Sequence, residues 1–338
     1  MNDMMTKHTP TIAVTGATGF LGSHLCAEIL RRGCGLIAVS RRAGVLEFEG
    51  SHSVIGAGDN FADLGSGMLE GADAVIHCAA RVHQQHEEKL GEQALHDAYL
   101  AANVDAALQV ARAASAAGVR RFVFVSSVHV HARATAPDET LSAASPCRPQ
   151  SHYARSKFRA EQALSEFCRT THLELVIVRP PLVYGAGVKA KFAQLARWVA
   201  SGRPLPFGSL WRNRRSFVSV GNLVDFLLLA AVHERAAGRA WLVADGAPIS
   251  TAELIENLAK ASGMQPRNWR VPPVLLRLAL SLIGRSGMLS VLDGSLALDI
   301  SENRDILGWK PVETMQQALP QVFAGDEKGA AGRAHPNK

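Results

Sequence analysis

Thr11-Ile-Ala-Val-Thr-Gly-Ala-Thr-Gly-Phe-Leu-Gly22 is the stretch on which the fold turns. The apolar run Ile12, Ala13, Val14 has strand character, and Leu25, Ile29 and Leu30 continue beyond the glycines at helical spacing. Between them lies Gly16-x-x-Gly19-x-x-Gly22. A strand, a glycine turn and a helix in that order suit a dinucleotide. One glycine allows a tight turn, another lets backbone N–H groups approach the pyrophosphate, and the third packs helix on sheet. The anion then sits at a helix N-terminus, where free N–H groups and the dipole favour negative charge. Gly16, Thr18, Gly19, Phe20, Leu21 and Gly22 are the expected contacts.

The rest of the chain is organised around that unit. Strand patterns at residues 35–40, 53–56, 73–79, 121–126 and 173–179 alternate with helical patterns near 20–32, 99–117 and 151–170. Alternation of this kind predicts an α/β fold with a doubly wound parallel sheet of Rossmann type. After Arg179 the pattern changes: Pro180-Pro181 and Gly185-Ala-Gly187 open a loop, and Arg203-Pro-Leu-Pro206 forms another. A strand from Ser216 to Val220, a helix from Asn222 to His233 and a strand near Trp241 follow, then short helices. The expected division is therefore a nucleotide-binding domain over 10–180 plus about 215–245. A smaller, mostly helical substrate lobe takes 181–214 plus 246–323, and 324–338 reads as a disordered tail.

Composition bounds the partners. The 338 residues carry a net charge of +6, from 27 Arg and 9 Lys against 30 Asp and Glu. There is no lysine-rich run or basic helix stripe, so nucleic acid is not an expected ligand, whereas a small polyanion is. The five cysteines are odd in number, scattered and without a C-x-x-C, as in a chain kept reduced in the cytoplasm. Residues 1–8 lack the apolar core of a signal peptide. The apolar run from Val274 to Ile283 is interrupted by Arg277 and too short to span a bilayer, so no stable membrane insertion is expected.

Tyr153-Ala-Arg-Ser-Lys157 lies in a helical stretch, which puts phenol and ammonium on one face, a turn apart. A phenol titrates near ~10 and exchanges protons poorly at neutral pH unless a nearby cation favours the phenolate. The strand Phe122-Val-Phe-Val ends at Ser126-Ser127, and a hydroxyl there faces the crevice where ligands bind in such sheets. Ser127, Tyr153 and Lys157 are thus the candidate catalytic set.

The glycine turn, the strand-end serine and Tyr-x3-Lys, in this order, resemble the extended short-chain dehydrogenase/reductases, the NAD(P)-dependent epimerase/dehydratase family. The resemblance implies that Ser127 hydrogen-bonds the substrate oxygen, Tyr153 exchanges the proton, and Lys157 tunes Tyr153 and contacts the cofactor. Val75-Ile-His77-Cys-Ala79-Ala80 looks like the motif beside the nicotinamide, Asn103 like part of the following helix, and Asp59-Asn60 like the adenine contact. Arg215 looks like the clamp on a nucleotide-sugar diphosphate, with Lys191 and His129 as further substrate contacts. The expected small-molecule partner is a UDP-sugar, and the resemblance leaves room for a homodimer.

Departures narrow the subfamily. Val128 and His129 stand where 4,6-dehydratases carry Asp-Glu, which argues against dehydration. Leu182 stands where the UDP-galactose type of 4-epimerase has Asn. The block from Val178 to Phe192 resembles the bacterial O-antigen branch of lipopolysaccharide biosynthesis. That branch comprises UDP-N-acetylglucosamine 4-epimerases and 4-reductases of UDP-4-keto-6-deoxy-N-acetylhexosamine. Ser40-Arg41-Arg42 follows the second strand, where NAD-specific sites place an acid on the ribose 2′-OH. Arginine there pairs with a 2′-phosphate instead, so NADP(H) is preferred, with NAD(H) open. The expected reaction is NADPH-dependent reduction of the sugar C4 ketone. The alternatives are a 4-epimerase with bound NAD, a catalytically silent NADP-binding regulator, and a reductase of hydrophobic ketones. His83-x-x-His86, His77 and His96 lack the partner ligands of a metal site, and no metal is expected.

Overall fold

The computed structural model describes residues 9–42, 52–82, 91–136, 138–272, 274–276 and 293–324. Its strands are β1 (Thr11–Thr15), β2 (Gly35–Ser40), β3 (His52–Gly56), β4 (Ala74–His77), β5 (Arg121–Val125) and β6 (Thr140–Leu141). They continue as β7 (Glu174–Arg179), β8 (Leu182–Tyr184), β9 (Phe217–Ser219), β10 (Arg239–Leu242) and β11 (Ala297–Leu298). The main helices are α1 (Phe20–Arg31), α2 (Glu92–Leu100), α3 (Ala106–Ala116), α4 (His152–Arg169), α5 (Ala190–Ala200), α6 (Val220–Val232) and α7 (Thr251–Ala261).

Seven strands form one sheet in the order β10-β7-β5-β4-β1-β2-β3. The pairings of β1 with β2 and β4, of β2 with β3, and of β5 with β4 and β7 are all parallel. Parallel strands covered on both faces are apolar throughout, and β1, β2, β4, β5 and β7 are buried along almost their whole length. The chain runs β1-β2-β3 to one side, then crosses back to β4 on the other side of β1. That reversal opens the crevice at the carboxyl ends of β1 and β4, the place where ligands bind in such sheets. The doubly wound fold expected from the alternation is the fold observed.

Two helices differ instructively from the sequence pattern. The helix expected over 99–117 starts earlier, at Glu92, and is interrupted by a π-helical turn at Ala101–Asp105, where Asn103 is fully buried. In α4, Ser151 caps the N-terminus by accepting from the Ala154 N–H at 3.1 Å. The buried stripe of α4 is Ala154, Lys157, Ala160, Glu161 and Leu164, so helical spacing carries two charged residues inward with the apolar ones.

The chain divides into two compact units. The first comprises the residues up to Val130, Cys147–Arg179 and Val224–Trp241; the second comprises His131–Pro146, Pro180–Leu223 and the chain from Leu242. This departs from the expected division at residues 131–146, 215–223 and 242–245. Residues 131–146 join the second unit because β6 pairs with β11, and residues 215–223 join it because β9 pairs with β8. The second unit has its own core around Tyr184, Phe192, Phe207, Leu254 and Leu258. Of the tail expected over 324–338, Ala324 is instead the end of a helical turn, and 325–338 lie outside the described residues.

Candidate active site

The glycine turn is built as the dinucleotide reading requires. Gly16 has φ +72°, and a Cβ there would lie 2.8 Å from the backbone nitrogen of Ala79. A Cβ on Gly22 would run into the Gly16 carbonyl. The turn is held by Gly16 N–H donating to Val39 O at 3.1 Å and Gly19 N–H donating to Gly16 O at 2.8 Å. No side chain caps α1, so its first N–H groups, from Phe20 onward, are free to receive an anion.

Beside this turn is a cavity of about 430 Å³ lined by Thr18, Ser40, Arg41, Arg42, Gly58 and Asp59. The backbone under the two arginines is fixed: Ala57 N–H donates to Ser40 O, Gly58 N–H to Arg41 O, and the Ser40 hydroxyl to Arg42 O at 2.6 Å. Arg41 approaches Asp59 only to 4.0 Å, with both side chains largely exposed, so its charge remains available. Asn60 takes left-handed dihedrals (φ 51°) directly after Asp59. These residues fit an adenine nucleotide with its ribose substituent at the arginines.

Asn103 lies in the helical stretch after β4, as expected, with its side chain buried. Its Oδ1 accepts from Arg81 N–H at 2.7 Å, while its Nδ2 donates to Arg81 O at 3.1 Å and to Ser156 Oγ at 2.9 Å. Both amide protons are used inside the protein, so Asn103 positions the segment after Ala79 and Ala80 and ties it to α4.

The catalytic candidates come together in the first unit. Ser127 is buried and accepts from His129 N–H at 3.3 Å, so His129 meets the serine through its backbone. The Tyr153 phenol is hydrogen-bonded to Ser127. Burial pushes that phenol above its usual value near 10, and the Ser127 contact opposes the shift. Lys157 is 1% exposed, with its ammonium 4.2 Å from the Phe124 ring centroid. Desolvation brings its pKa down to about 8, against the opposing pull of Cys78 and Glu161. Tyr153 therefore stands protonated at neutral pH, with Ser127 as the group that acts on its titration.

This burial has a measurable consequence. The folded pKa of Lys157 lies below its usual 10.5. Below about pH 8 both folded and unfolded chains hold the proton, and the full cost of burying the charge, about 3 kcal/mol, is present. Between about 8 and 10.5 the unfolded chain binds more protons, so stability rises with pH. Lys157→Met should therefore raise the melting temperature at pH 7, lose most of that advantage by pH 10, and be catalytically impaired. Thermal unfolding of both proteins at the two pH values checks this, and a less stable Met variant at pH 7 would contradict it.

A second group lay unnoticed in the sequence. The Glu161 carboxylate accepts from Ser126 Oγ at 2.5 Å and from Arg179 through Nε at 3.0 Å and Nη2 at 2.6 Å. All three residues are buried. Ser126 ends β5 beside Ser127, Arg179 ends β7, and Glu161 lies one turn beyond Lys157 on α4. One carboxylate thus clasps β5 and α4, which carry the catalytic set, to the end of β7. The signal was present in the spacing, since Tyr153, Lys157 and Glu161 continue one face at intervals of four.

Lys191 is exposed in the first turn of α5, in the second unit. Arg215, also in that unit, bridges Ile249 and Leu296 through its backbone and donates from Nη1 to Gly294 O at 3.1 Å. Burial, then the nearby Arg133, lowers its pKa. His77 is a core residue, stacked on Phe122 and Phe124 at 6.0 and 5.9 Å. Its Nδ1 lies 2.9 Å from Thr15 Oγ1, and burial takes its pKa to about 3, so the ring is neutral. His96 contacts His152 ring to ring at 5.8 Å. His83 and His86 lie outside the described residues. Among the described residues, no group of three His, Cys, Asp or Glu side chains is placed to hold a metal.

Residues 12–244 match the NAD dependent epimerase/dehydratase family. The chain is 35% identical over 318 residues to a UDP-glucose 4-epimerase of Vibrio cholerae, covering 94% of this chain and 95% of that one. It is 32% identical over 268 residues to a 2-alkyl-3-oxoalkanoate reductase of Stenotrophomonas maltophilia, covering 75% and 76%. Among solved structures, the complex of MoeE5 with UDP-glucuronic acid and NAD superimposes with a TM-score of 0.74 at 25% identity, covering 94% of this chain and 99% of that one. With its glycine turn, its crevice beside β1 and β4, and its Ser-Tyr-Lys grouping, the chain belongs to the NAD dependent epimerase/dehydratase family.

Proposed function

We propose that the protein reduces the C4 ketone of a UDP-4-keto-6-deoxy-N-acetylhexosamine with NADPH. The observation that carries the cofactor half of this reading is the cavity lined by Ser40, Arg41 and Arg42, without a carboxylate at the end of β2. Two guanidiniums favour a ribose 2′-phosphate through charge-assisted hydrogen bonds, where a carboxylate would select a 2′-hydroxyl. A nicotinamide bound beside the glycine turn would supply the hydride to C4. Ser127 hydrogen-bonds the ketone oxygen, and Tyr153 gives it a proton, leaving an alcohol and the oxidised cofactor. Burial holds the Tyr153 phenol above its usual pKa, so its proton is present at neutral pH, which reduction requires. In the second unit, Arg215 and Lys191 are the candidate contacts for the diphosphate of the UDP group.

The 35% identity to the Vibrio cholerae UDP-glucose 4-epimerase favours a second reading, a 4-epimerase with tightly bound NAD. The two differ in stoichiometry. Reduction should oxidise one NADPH per keto-sugar consumed, and Arg41→Ala/Arg42→Ala should raise KM for NADPH by about tenfold or more while sparing NADH. Interconversion of UDP-N-acetylglucosamine and UDP-N-acetylgalactosamine without added cofactor, by protein purified with NAD, would establish the epimerase instead.

A further inference from the structure

We propose that the second unit carries a docking surface for an anionic lipid bilayer, formed where the loop 203–211 meets the segment 264–271. The two segments are stitched by backbone hydrogen bonds. Leu205 N–H donates to Arg267 O at 2.9 Å, Trp269 N–H to Leu205 O at 2.7 Å, and Gly208 N–H to Trp269 O at 2.9 Å. Leu205 and Phe207 turn inward to the core of the unit, and Asn268 turns back to accept from Phe207 N–H. Alternation along an extended segment then sends Arg267 and Trp269 outward. Trp269 is 64% exposed and Trp211 is 56% exposed. Met264, whose methyl lies against Gly202, and the exposed Val274 and Leu275 extend the apolar character of the same segment.

Single exposed apolar side chains are ordinary, but large ones grouped on joined segments mark an interaction site. The charge around them says with what. Residues 175–224 contain no Asp or Glu, and neither do residues 257–292, in a chain that has 30 such residues in 338. Arg203, Arg212, Arg267 and Arg270 are all exposed, and the Arg212 guanidinium lies 5.0 Å from the Trp211 ring centroid. Tryptophan rings partition to the headgroup level of a bilayer, and arginine pairs with anionic headgroups while its stem lies along apolar surface. A surface of tryptophan with Arg203, Arg212, Arg267 and Arg270, which outnumber the one carboxylate paired at its edge, Glu253 on Arg214, matches that interface in both polarity and sign. Each cation near an anionic surface contributes about a fivefold gain in binding, and the attraction extends about a Debye length. Among the described residues no helix is long and apolar enough to cross a membrane, so the contact is peripheral.

The test is co-sedimentation of the full chain with vesicles of 70% phosphatidylcholine and 30% phosphatidylglycerol, against pure phosphatidylcholine. Binding to the anionic vesicles is expected at 50 mM salt, with a blue shift of tryptophan emission and at least tenfold weakening at 500 mM salt. Trp211→Ala/Trp269→Ala and, separately, Arg267→Glu/Arg270→Glu should each weaken binding at least tenfold. Turnover of a soluble substrate should be unchanged, which shows that the variants are folded. The proposal is overturned if the chain stays in the supernatant at low salt, or if both variants bind as the parent does. It is equally overturned if sedimentation velocity shows a self-association that Trp269→Ala abolishes and the vesicles do not compete with it.

Discussion

Tyr153→Phe is expected to lower kcat by about two orders of magnitude or more, the scale for losing a positioned proton donor. The substitution removes one hydroxyl and leaves the ring, which packs edge-on to Tyr99 with centroids 6.5 Å apart. Folding and cofactor affinity should therefore change little, and the loss should fall on kcat. Ser127, which contacts that phenol, cannot replace it, because a serine hydroxyl gives up a proton far less readily than a phenol does. The pH dependence of the unmodified enzyme belongs to the same expectation. Tyr153 stays protonated through neutral pH, so the first titration met on raising the pH is that of Lys157 at about 8, and kcat/KM for reduction should fall above it. Steady-state rates over pH 6–10 check both points. A Tyr153→Phe enzyme within a few-fold of wild type would remove the tyrosine from the chemistry.

What could be read along the chain and what could not divides by distance. The glycine turn was legible because its demands are local: Gly16 needs a positive φ, and Gly22 must lie against the Gly16 carbonyl a few residues away. Tyr153 and Lys157 were legible because four residues is one helical turn. The strands were legible because parallel strands buried on both faces read as continuous apolar runs. Other features depend on pairings between remote segments. Thr140–Leu141 joins Ala297–Leu298, and nothing in either dipeptide announces the other. The π turn that buries Asn103 is invisible in an alanine-rich helical pattern, and so is the use of its amide on Arg81 and Ser156. Lys157 was expected to set the titration of Tyr153, yet its buried ammonium is itself the perturbed group, a consequence of packing depth that spacing does not report.

Glu161→Ala is expected to destabilise the protein by about 3–5 kcal/mol, because it leaves the buried Arg179 guanidinium without its carboxylate. The pair is 4% and 8% exposed, so water does not replace the lost partner. Ser126 loses its acceptor as well. Replacing both partners with apolar residues, Glu161→Leu with Arg179→Met, should recover much of that stability, since the cost lies in the unpaired charge. Activity should not recover with it. Glu161 is a positioning residue: it holds the end of β5 beside Ser127 against the helix that carries Tyr153 and Lys157. Without that clasp the serine-to-phenol geometry loosens, and kcat should fall about tenfold or more, as misplacement by about an ångström does elsewhere. Glu161→Gln separates this from simple loss of structure, because it keeps the shape and one acceptor while removing the charge. The Glu161 carboxylate raises the pKa of Lys157. In the Gln variant that support is gone, so the descending limb of kcat/KM should move below about pH 8. Urea unfolding of the Ala and double variants, with a pH–rate profile of the Gln variant, tests both halves. An unshifted alkaline limb would reduce Glu161 to a structural ion pair, and an Ala variant within about 1 kcal/mol of wild type would show the clasp to be dispensable.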